Sequence, residues 1–502
     1  MGYKTGENKN QLALLPMCLD DYVPENHICR VIKTFTDQLN MLALGYKYAQ
    51  CKNVGNSPYN PRMMLNLYIY GYLHRVRSSR RLQAETTRNI EVMWIMDGLC
   101  PDAKTISNFR KDNAKSLRET FREFVKMCRY FGLYGGELIA TDSTKFRADN
   151  SRKNNHNKTT VERELLRIDK NISEYMNAMD KADEAEKECS TPNADKIKEA
   201  LGKLKDLKER KVKFETLLSQ IEEQKEVSTV DPDSRLMRSG GDARPLDVCY
   251  NVQTVVDSKH HLIVDFDIID RADDKGNIEN MSQKAMDVLG VETIMNLMDK
   301  GYYDGEDIIN SEKNGVTCLV AKPKSGGSKK QEKFNKDKFV YDSENDCYVC
   351  PAQNQMRYMR NQKHSDGKEY RVYANYSACV KCPCKADCTK SKYRQLLRLL
   401  YQNELDAIDE RTRQNKQLYR KRSEIVEHPF GTIKAVWGYK QYLCRTKVKV
   451  NAETALAYLA YNFRRLINIF AGGIEDLVKE IGMVMHSFCV FTQINARLTI
   501  KI

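Results

Sequence analysis

The sequence predicts a mixed α/β protein of several domains, and three observations carry that reading. Short apolar runs of strand type end in acidic residues, as in Glu137-Leu138-Ile139-Ala140-Thr141-Asp142 and Thr293-Ile294-Met295-Asn296-Leu297-Met298-Asp299. Stretches of helical periodicity precede and interrupt these runs. Six of the 16 cysteines crowd between Cys347 and Cys388. At 502 residues the chain exceeds the size at which one core keeps growing, and 41% hydrophobic content suffices for folded cores.

Lys and Arg number 82 against 68 Asp and Glu, a formal net charge of +14. Such an excess favours polyanions, nucleic acid first among them; a merely basic surface is the plain alternative. No run approaches the roughly 18 apolar residues needed to cross a bilayer. The start, Met1-Gly2-Tyr3-Lys4-Thr5-Gly6-Glu7, lacks the apolar core of a signal peptide. An intracellular protein with no membrane partner is expected. In a reducing compartment, clustered cysteines read as metal ligands rather than disulfides.

Residues 1–60 are set apart as an N-terminal segment, and 61–133 reads as several helices. Pro61 opens the first, Met63 to Leu73. A second runs from about Arg80 to Met96 and stops at Asp97-Gly98. Pro101-Asp102 opens a third, Ala103 to about Arg110, which continues into a helix with Leu117, Phe121, Phe124 and Val125 on one stripe. Short basic helices split by tight turns suit a helix-turn-helix-like DNA module, with Arg80, Arg81 and Arg110 as contacts. A helical bundle with a solvated basic face is the alternative.

From Val161 to Gln224, Leu165, Ile168, Ile172, Tyr175 and Met179 step by 3 and 4, as do Ile197, Leu201 and Leu204, then Phe214, Leu218 and Ile221. That seam predicts a coiled coil. Ser190-Thr191-Pro192-Asn193 breaks it, so the arms fold back antiparallel. Strand patterning resumes at Asp247 to Val256 and His261 to Ile269, joined by the hairpin turn Asp257-Ser258-Lys259-His260. A crossover helix over Glu279–Leu289 leads to the strand before Asp299, and Val316 to Ala321 supplies another strand. Lys322 to Lys338 is basic, Gly/Ser-rich and expected to be a loop. Asp231-Pro232-Asp233-Ser234-Arg235 reads as a turn, or as a contact to metal or phosphate. Ala452 to Ile467 is a helix with small and large apolar residues at helical spacing, and Trp437 stands ahead of it, read as core or as a stacking platform.

Two Cys-x₂-Cys pairs, Cys347/Cys350 and Cys379/Cys382, are followed by Cys384 and Cys388. Two such knuckles suit one tetrahedral zinc ion; an iron–sulfur cluster or free thiols are the alternatives. Cys347, Cys350, Cys379 and Cys382 are the expected set, with Cys388 as first substitute, and the role is structural because four thiolates leave no open position. Carboxylates at strand ends can converge over a sheet edge and share hard cations such as Mg²⁺. Any one of them alone is more simply a turn residue or helix cap.

The combination resembles the DDE transposases of bacterial insertion sequences, from about Pro61 to Phe470. The motifs are Ala140-Thr141-Asp142-Ser143-Thr144, Met298-Asp299-Lys300-Gly301-Tyr302, and Tyr419-Arg420-Lys421-Arg422-Ser423-Glu424-Ile425-Val426-Glu427 with Lys434. The last block is similar to the family's tyrosine–arginine–glutamate–lysine signature, with an Arg422-to-Glu427 gap one residue longer, so Glu424 competes with Glu427. The resemblance implies a ribonuclease H-like catalytic domain over 134–472. Within it lie two insertions, a coiled-coil hairpin at 158–226 and a cysteine-rich zinc-binding module at 339–397; the all-helical DNA-binding domain precedes it and a tail, 473–502, follows. It implies cleavage of DNA at the ends of a mobile element and strand transfer into target DNA. Asp142, Asp299 and Glu427 would hold two Mg²⁺ or Mn²⁺ ions, Arg422 and Lys434 would contact phosphate, and zinc would be structural. Implied partners are double-stranded DNA, as terminal repeats and target, and a second copy when ends are synapsed. The implied location is the bacterial cytoplasm, at the nucleoid. A DNA-binding protein without catalysis, whether degenerate transposase or repressor, and a metal-dependent nuclease without strand transfer are the rival readings.

Overall fold

In a computed structural model of the chain, residues 17–51, 57–186, 194–224, 226–238, 246–323, 334–365 and 367–483 are described. The helices α1 (Ile28–Asp37), α2 (Pro61–Leu73), α3 (Ser79–Arg88), α4 (Ile90–Ile95), α5 (Ala103–Asp112) and α6 (Ala114–Tyr130) come first. The single helix expected over Arg80 to Met96 is two. Asn89 is extended (φ −109°, ψ 114°) and its side chain accepts from the Glu91 amide, which ends α3 and caps α4.

Strand β1 (Leu138–Arg147) leads into a two-stranded ribbon of β2 (Asn155–Asn157) and β3 (Glu226–Ser228). From this base projects a hairpin of α7 (Lys158–Glu186) and α8 (Ala194–Gln224). Val161, Leu165, Ile168 and Ile172 pack against Leu207, Phe214, Leu217, Leu218 and Ile221. The ion pairs Arg210–Glu164 (3.1 Å) and Lys211–Asp169 (2.7 Å) link the two arms within one chain. The expected break at Ser190 to Asn193 lies outside the described residues.

The chain continues through β4 (Arg235–Arg238), β5 (Leu246–Asp257), β6 (Ile263–Ile269), α9 (Ile278–Leu289), β7 (Ile294–Met298), α10 (Gly305–Lys313) and β8 (Val316–Val320). In the sheet, β6 is antiparallel to β5 and β5 to β1, whereas β1, β7 and β8 run parallel; β4 pairs the start of β5. The parallel strands need a crossover, and α9 and α10 supply it. Thr141 is the last β1 residue paired with β7, opposite Met298. Asp142 therefore does not end its strand, as the sequence suggested. It stands where the neighbouring strand ends, while β1 runs on to Arg147 paired with β5.

A second, five-stranded antiparallel sheet follows: β9 (Val340–Asp342), β10 (Cys347–Val349), β11 (Gln355–Lys363), β12 (Glu369–Ala374) and, after the short helices α11 (Tyr376–Val380) and α12 (Lys385–Cys388), β13 (Gln395–Leu399). Of the expected loop between the two sheets, residues 324–333 lie outside the described residues. Helices α13 (Gln402–Gln414), α14 (Lys416–Phe430) and α15 (Lys447–Ile469) close the fold. Residues 473–483, expected to start a tail, are helical and bring Leu477 and Ile481 into the core.

Helix α15 is the keystone. Its Tyr458 hydroxyl meets Thr254 Oγ1 at 2.8 Å, and its Asn462 both accepts from Ile263 N (2.9 Å) and donates to Ile263 O (2.8 Å). On its other side Phe463 packs on Phe124 of α6 (4.2 Å) and Phe35 of α1 (5.4 Å). One hydrophobic core thus runs from the N-terminal helices into the sheet. Burying each such side chain contributes about 1.5–3 kcal/mol. The opposite face of the sheet carries α9, where Asn296 donates to Ser282 at 2.9 Å. The Asp231 turn is structural: buried Asp231 accepts from Tyr250 Oη (2.7 Å) and Thr446 N (2.9 Å), anchoring the start of α15. Among the described residues, no helix is long and apolar enough to cross a membrane.

Candidate catalytic edge and cysteine cluster

Where β7 ends, two carboxylates are set side by side. Asp299 Oδ1 accepts from Gly301 N at 2.5 Å, capping the single turn Lys300–Tyr302. A Cβ on Gly301 would stand 2.8 Å from that oxygen, so only glycine lets the carboxylate fold back on the turn. Asp142 Oδ1 accepts from Ser143 N (2.8 Å) and Oδ2 from Arg422 Nη1 (2.7 Å). Burial holds the Asp142 carboxyl above its ordinary value of 3.8; the Asp299 charge adds to the rise, while Arg422 and the Ser143 amide oppose it.

Helix α14 brings Tyr419 and Arg422 of the third motif over this edge. Tyr419 Oη donates to Met298 O at 2.9 Å, and Arg422, almost one turn on, reaches Asp142. Glu424 and Glu427 are both exposed. The Glu424 charge acts on His261, in the β5–β6 turn, whose pKa is lowered chiefly by burial. Pro429 lies inside α14, and the chain continues helically into a π-type turn over Gly431–Val436. Proline cannot donate the usual backbone bond, and the helix widens directly after it. Lys434, on that widened turn, donates to Lys145 O at 2.6 Å and lies 4.5 Å from the centre of the Phe146 ring.

Two basic residues expected on phosphate therefore have protein partners here: Arg422 on Asp142 and Lys434 on the open edge of β1. Arg80 and Arg81 are exposed on α3. Arg110 is a correction: it is 6% exposed, 3.4 Å from Tyr72 Oη and 5.7 Å from the Tyr68 ring centre, inside the core. It stands on the face of α5 that packs inward, which a basic pattern alone does not distinguish.

Sequence reasoning missed Asp274, in the loop between β6 and α9. Its Oδ1 accepts from Asn251 Nδ2 and Gln253 Nε2, both at 2.8 Å, and lies 3.5 Å from Lys145 Nζ. The adjacent acids Asp273-Asp274, directly after a strand, were the available signal.

The cysteines divide differently from the expected set. Cys350, Cys379, Cys382 and Cys388 line one cavity of about 30 Å³, and Cys350 Sγ accepts from Asn354 N at 3.3 Å. Burial raises the Cys388 thiol, and the charges of Cys379, Cys350 and Cys382 raise it further against Arg394. Cys347 is 1% exposed on β10, opposite Asp342 and Arg357, and lines no part of that cavity. In a strand, alternate residues face opposite sides, which carries Cys347 away from the ring. Four thiols lining one small cavity are the donor type that a structural zinc ion takes. Among the described residues, however, only His27, Cys29 and Glu91 bring three ligand-type atoms within 4.8 Å of one another. In this group His27 Nδ1 accepts from Cys29 N (3.3 Å), its Nε2 is 3.5 Å from Glu91 Oε1, and Tyr70 Oη donates to Glu91 Oε2 (2.6 Å).

Comparison with known proteins adds two family matches. Residues 17–112 match a transposase domain (DUF772), and residues 349–467 match a transposase DDE domain. The second match takes in the cysteine ring and α14 with Glu427 and Lys434; Asp142 and Asp299 precede it. No curated protein and no solved structure matches the chain. The two transposase-domain matches, one on either side of the central sheet, indicate a transposase of the DDE type.

Proposed function

We propose that this transposase cuts DNA at the ends of its element and transfers the 3′ ends to target DNA, using Asp142, Asp299 and Glu427 to hold Mg²⁺ or Mn²⁺. The carrying observation is the placement of Asp142 and Asp299 at the end of β7 beneath Arg422 of α14. Strand order and direction support a ribonuclease H-like catalytic domain over 134–472, interrupted by the hairpin at 158–226 and the cysteine module at 339–397. The donor set suits a hard cation: carboxylate oxygens at one edge, one of them kept from its ordinary acidity by burial and a like charge. Glu427 is favoured over Glu424 because it stands seven positions, about two helical turns, before Lys434.

When bound, such ions polarise the scissile phosphate and lower the pKa of a water or 3′-hydroxyl. The protein's own part is positional. Asp142 and Asp299 are fixed by the register of β1 and β7 and by the Gly301 turn, so they reorganise little. Arg422 offsets the negative charge gathered at Asp142 and stands beside the edge that a phosphate must approach. Lys434 adds positive charge along β1. Arg80 and Arg81 on α3 are proposed DNA contacts, a zinc ion in the ring of Cys350, Cys379, Cys382 and Cys388 is proposed to be structural, and a second copy is proposed to join when two ends are synapsed. Asp142→Asn and Asp299→Asn keep side-chain shape and lose charge, so DNA nicking should fall on the order of 10³-fold while DNA binding persists. Wild-type nicking by either variant would sink the reading.

A further inference from the structure

We infer that Asp274 is a fourth functional carboxylate of this edge, an outer ligand that helps fix the divalent ion held by Asp142 and Asp299; the inference rests on the catalytic reading above. Asp274 approaches from the opposite face of the sheet. Gln253, which holds it, lies across from Asp267, and Asp267 is ion-paired with Lys284 of α9. Asp142 belongs to the α15 face, with Thr254 and Tyr458. The two faces meet only where β7 has ended.

Three groups use one oxygen of Asp274. Asn251 and Gln253, both wholly buried on β5, donate to Oδ1, and Lys145 stands beside it. Gln253 is itself held, its Oε1 accepting from Tyr302 Oη of the turn that Asp299 caps. The carboxylate is thus rigid, and Oδ2 is left over. That oxygen lies 3.5 Å from the place a Cβ on Gly301 would take, and Asp299 Oδ1 lies 2.8 Å from the same place. Two carboxylate oxygens are drawn over one glycine, and Lys145 offsets their like charge from the Oδ1 side of Asp274. One wholly buried atom is also left over: Asn251 Oδ1, in a residue with no exposed surface, has no hydrogen-bond partner in the protein. A magnesium-type ion keeps several of its waters, and those waters suit an outer carboxylate and an amide oxygen.

Manganese titration calorimetry on the full chain tests this, comparing wild type with Asp274→Asn, Asp274→Glu, Asp142→Asn and Asp299→Asn. The amide oxygen of Asp274→Asn can still accept from Asn251 and Gln253, so the metal-free melting temperature should stay near wild type. Mn²⁺ affinity should fall about 10–100-fold, the usual cost of losing an outer partner, and Asp274→Glu should keep most of it. Wild-type Mn²⁺ affinity in Asp274→Asn, beside a loss in Asp142→Asn, overturns the inference and leaves the catalytic reading standing. A loss that Asp274→Glu shares equally assigns the position to shape rather than charge, and overturns it too. Wild-type affinity in both Asp142→Asn and Asp299→Asn would remove the catalytic reading itself.

Discussion

The acidic edge and the cysteine ring are both sets of metal-type donors, built in opposite ways. Asp142 and Arg422 lie 280 positions apart and meet because strand register and α14 bring them together over the main core. The ring draws Cys350, Cys379, Cys382 and Cys388 from one short segment, whose small core consists of Phe339, Tyr348, Met356, Tyr373 and Leu396. A site hung on a large core inherits its geometry from the fold. A site on a small module must contribute folding energy of its own, because a few buried side chains barely offset the entropy of ordering them.

The largest effect expected from this contrast follows removal of metal. Stripping zinc, or Cys388→Ser, should destabilise residues 339–397 by several kcal/mol, on the order of 10 in isolated modules, and open them to limited proteolysis. The α15 core should stay protected. Cys347→Ala should keep the full zinc content; equal zinc loss in Cys347→Ala and Cys388→Ser would break the assignment of the ring.

On the acidic side, Glu427→Gln should reduce DNA nicking on the order of 10²–10³-fold, with Glu424→Gln close to wild type. The reverse pattern in a nicking assay would move the third carboxylate to Glu424. Next in size is the contrast among arginines. Arg110→Ala removes a buried cation from the Tyr68–Tyr72 surface and should cost about 2–3 kcal/mol in thermal or denaturant unfolding. Arg80→Ala with Arg81→Ala should leave stability unchanged and lower the salt slope of DNA binding by about 2. Unchanged DNA binding by that double variant would remove α3 from the interface.

The smallest effect is on pH. Because burial raises the folded-state pKa of Asp142 above 3.8, the protonated form favours the metal-free fold. The stability this contributes is complete below 3.8 and is lost as pH rises through the raised value. Divalent ions need the carboxylate, so Mn²⁺ affinity should climb over that same window by up to about tenfold per pH unit. Asp142→Asn should abolish that climb, and a flat profile in the wild type would break the link.

Much of this molecule was legible in the sequence, because much of it is local. Apolar alternation located β5 and β6, apolar runs located β7 and β8, and a 3–4 step located α7 and α8. The three transposase motifs located Asp142, Asp299 and the α14 signature. Adjacent Cys-x₂-Cys turns marked a donor cluster. The tertiary structure decided what no local pattern encodes, which is which atoms meet. The Cys-x₂-Cys spacing put Cys347 ahead of Cys388, but strand pairing turns Cys347 away. A basic helix made Arg110 look available, but α5 packs that face inward. Asp274 had no strong motif, and it reaches the edge only because β7 stops short of β1 and leaves both faces of the sheet open at one point. Periodicity and spacing act over a few residues, whereas register and helix packing join positions hundreds of residues apart.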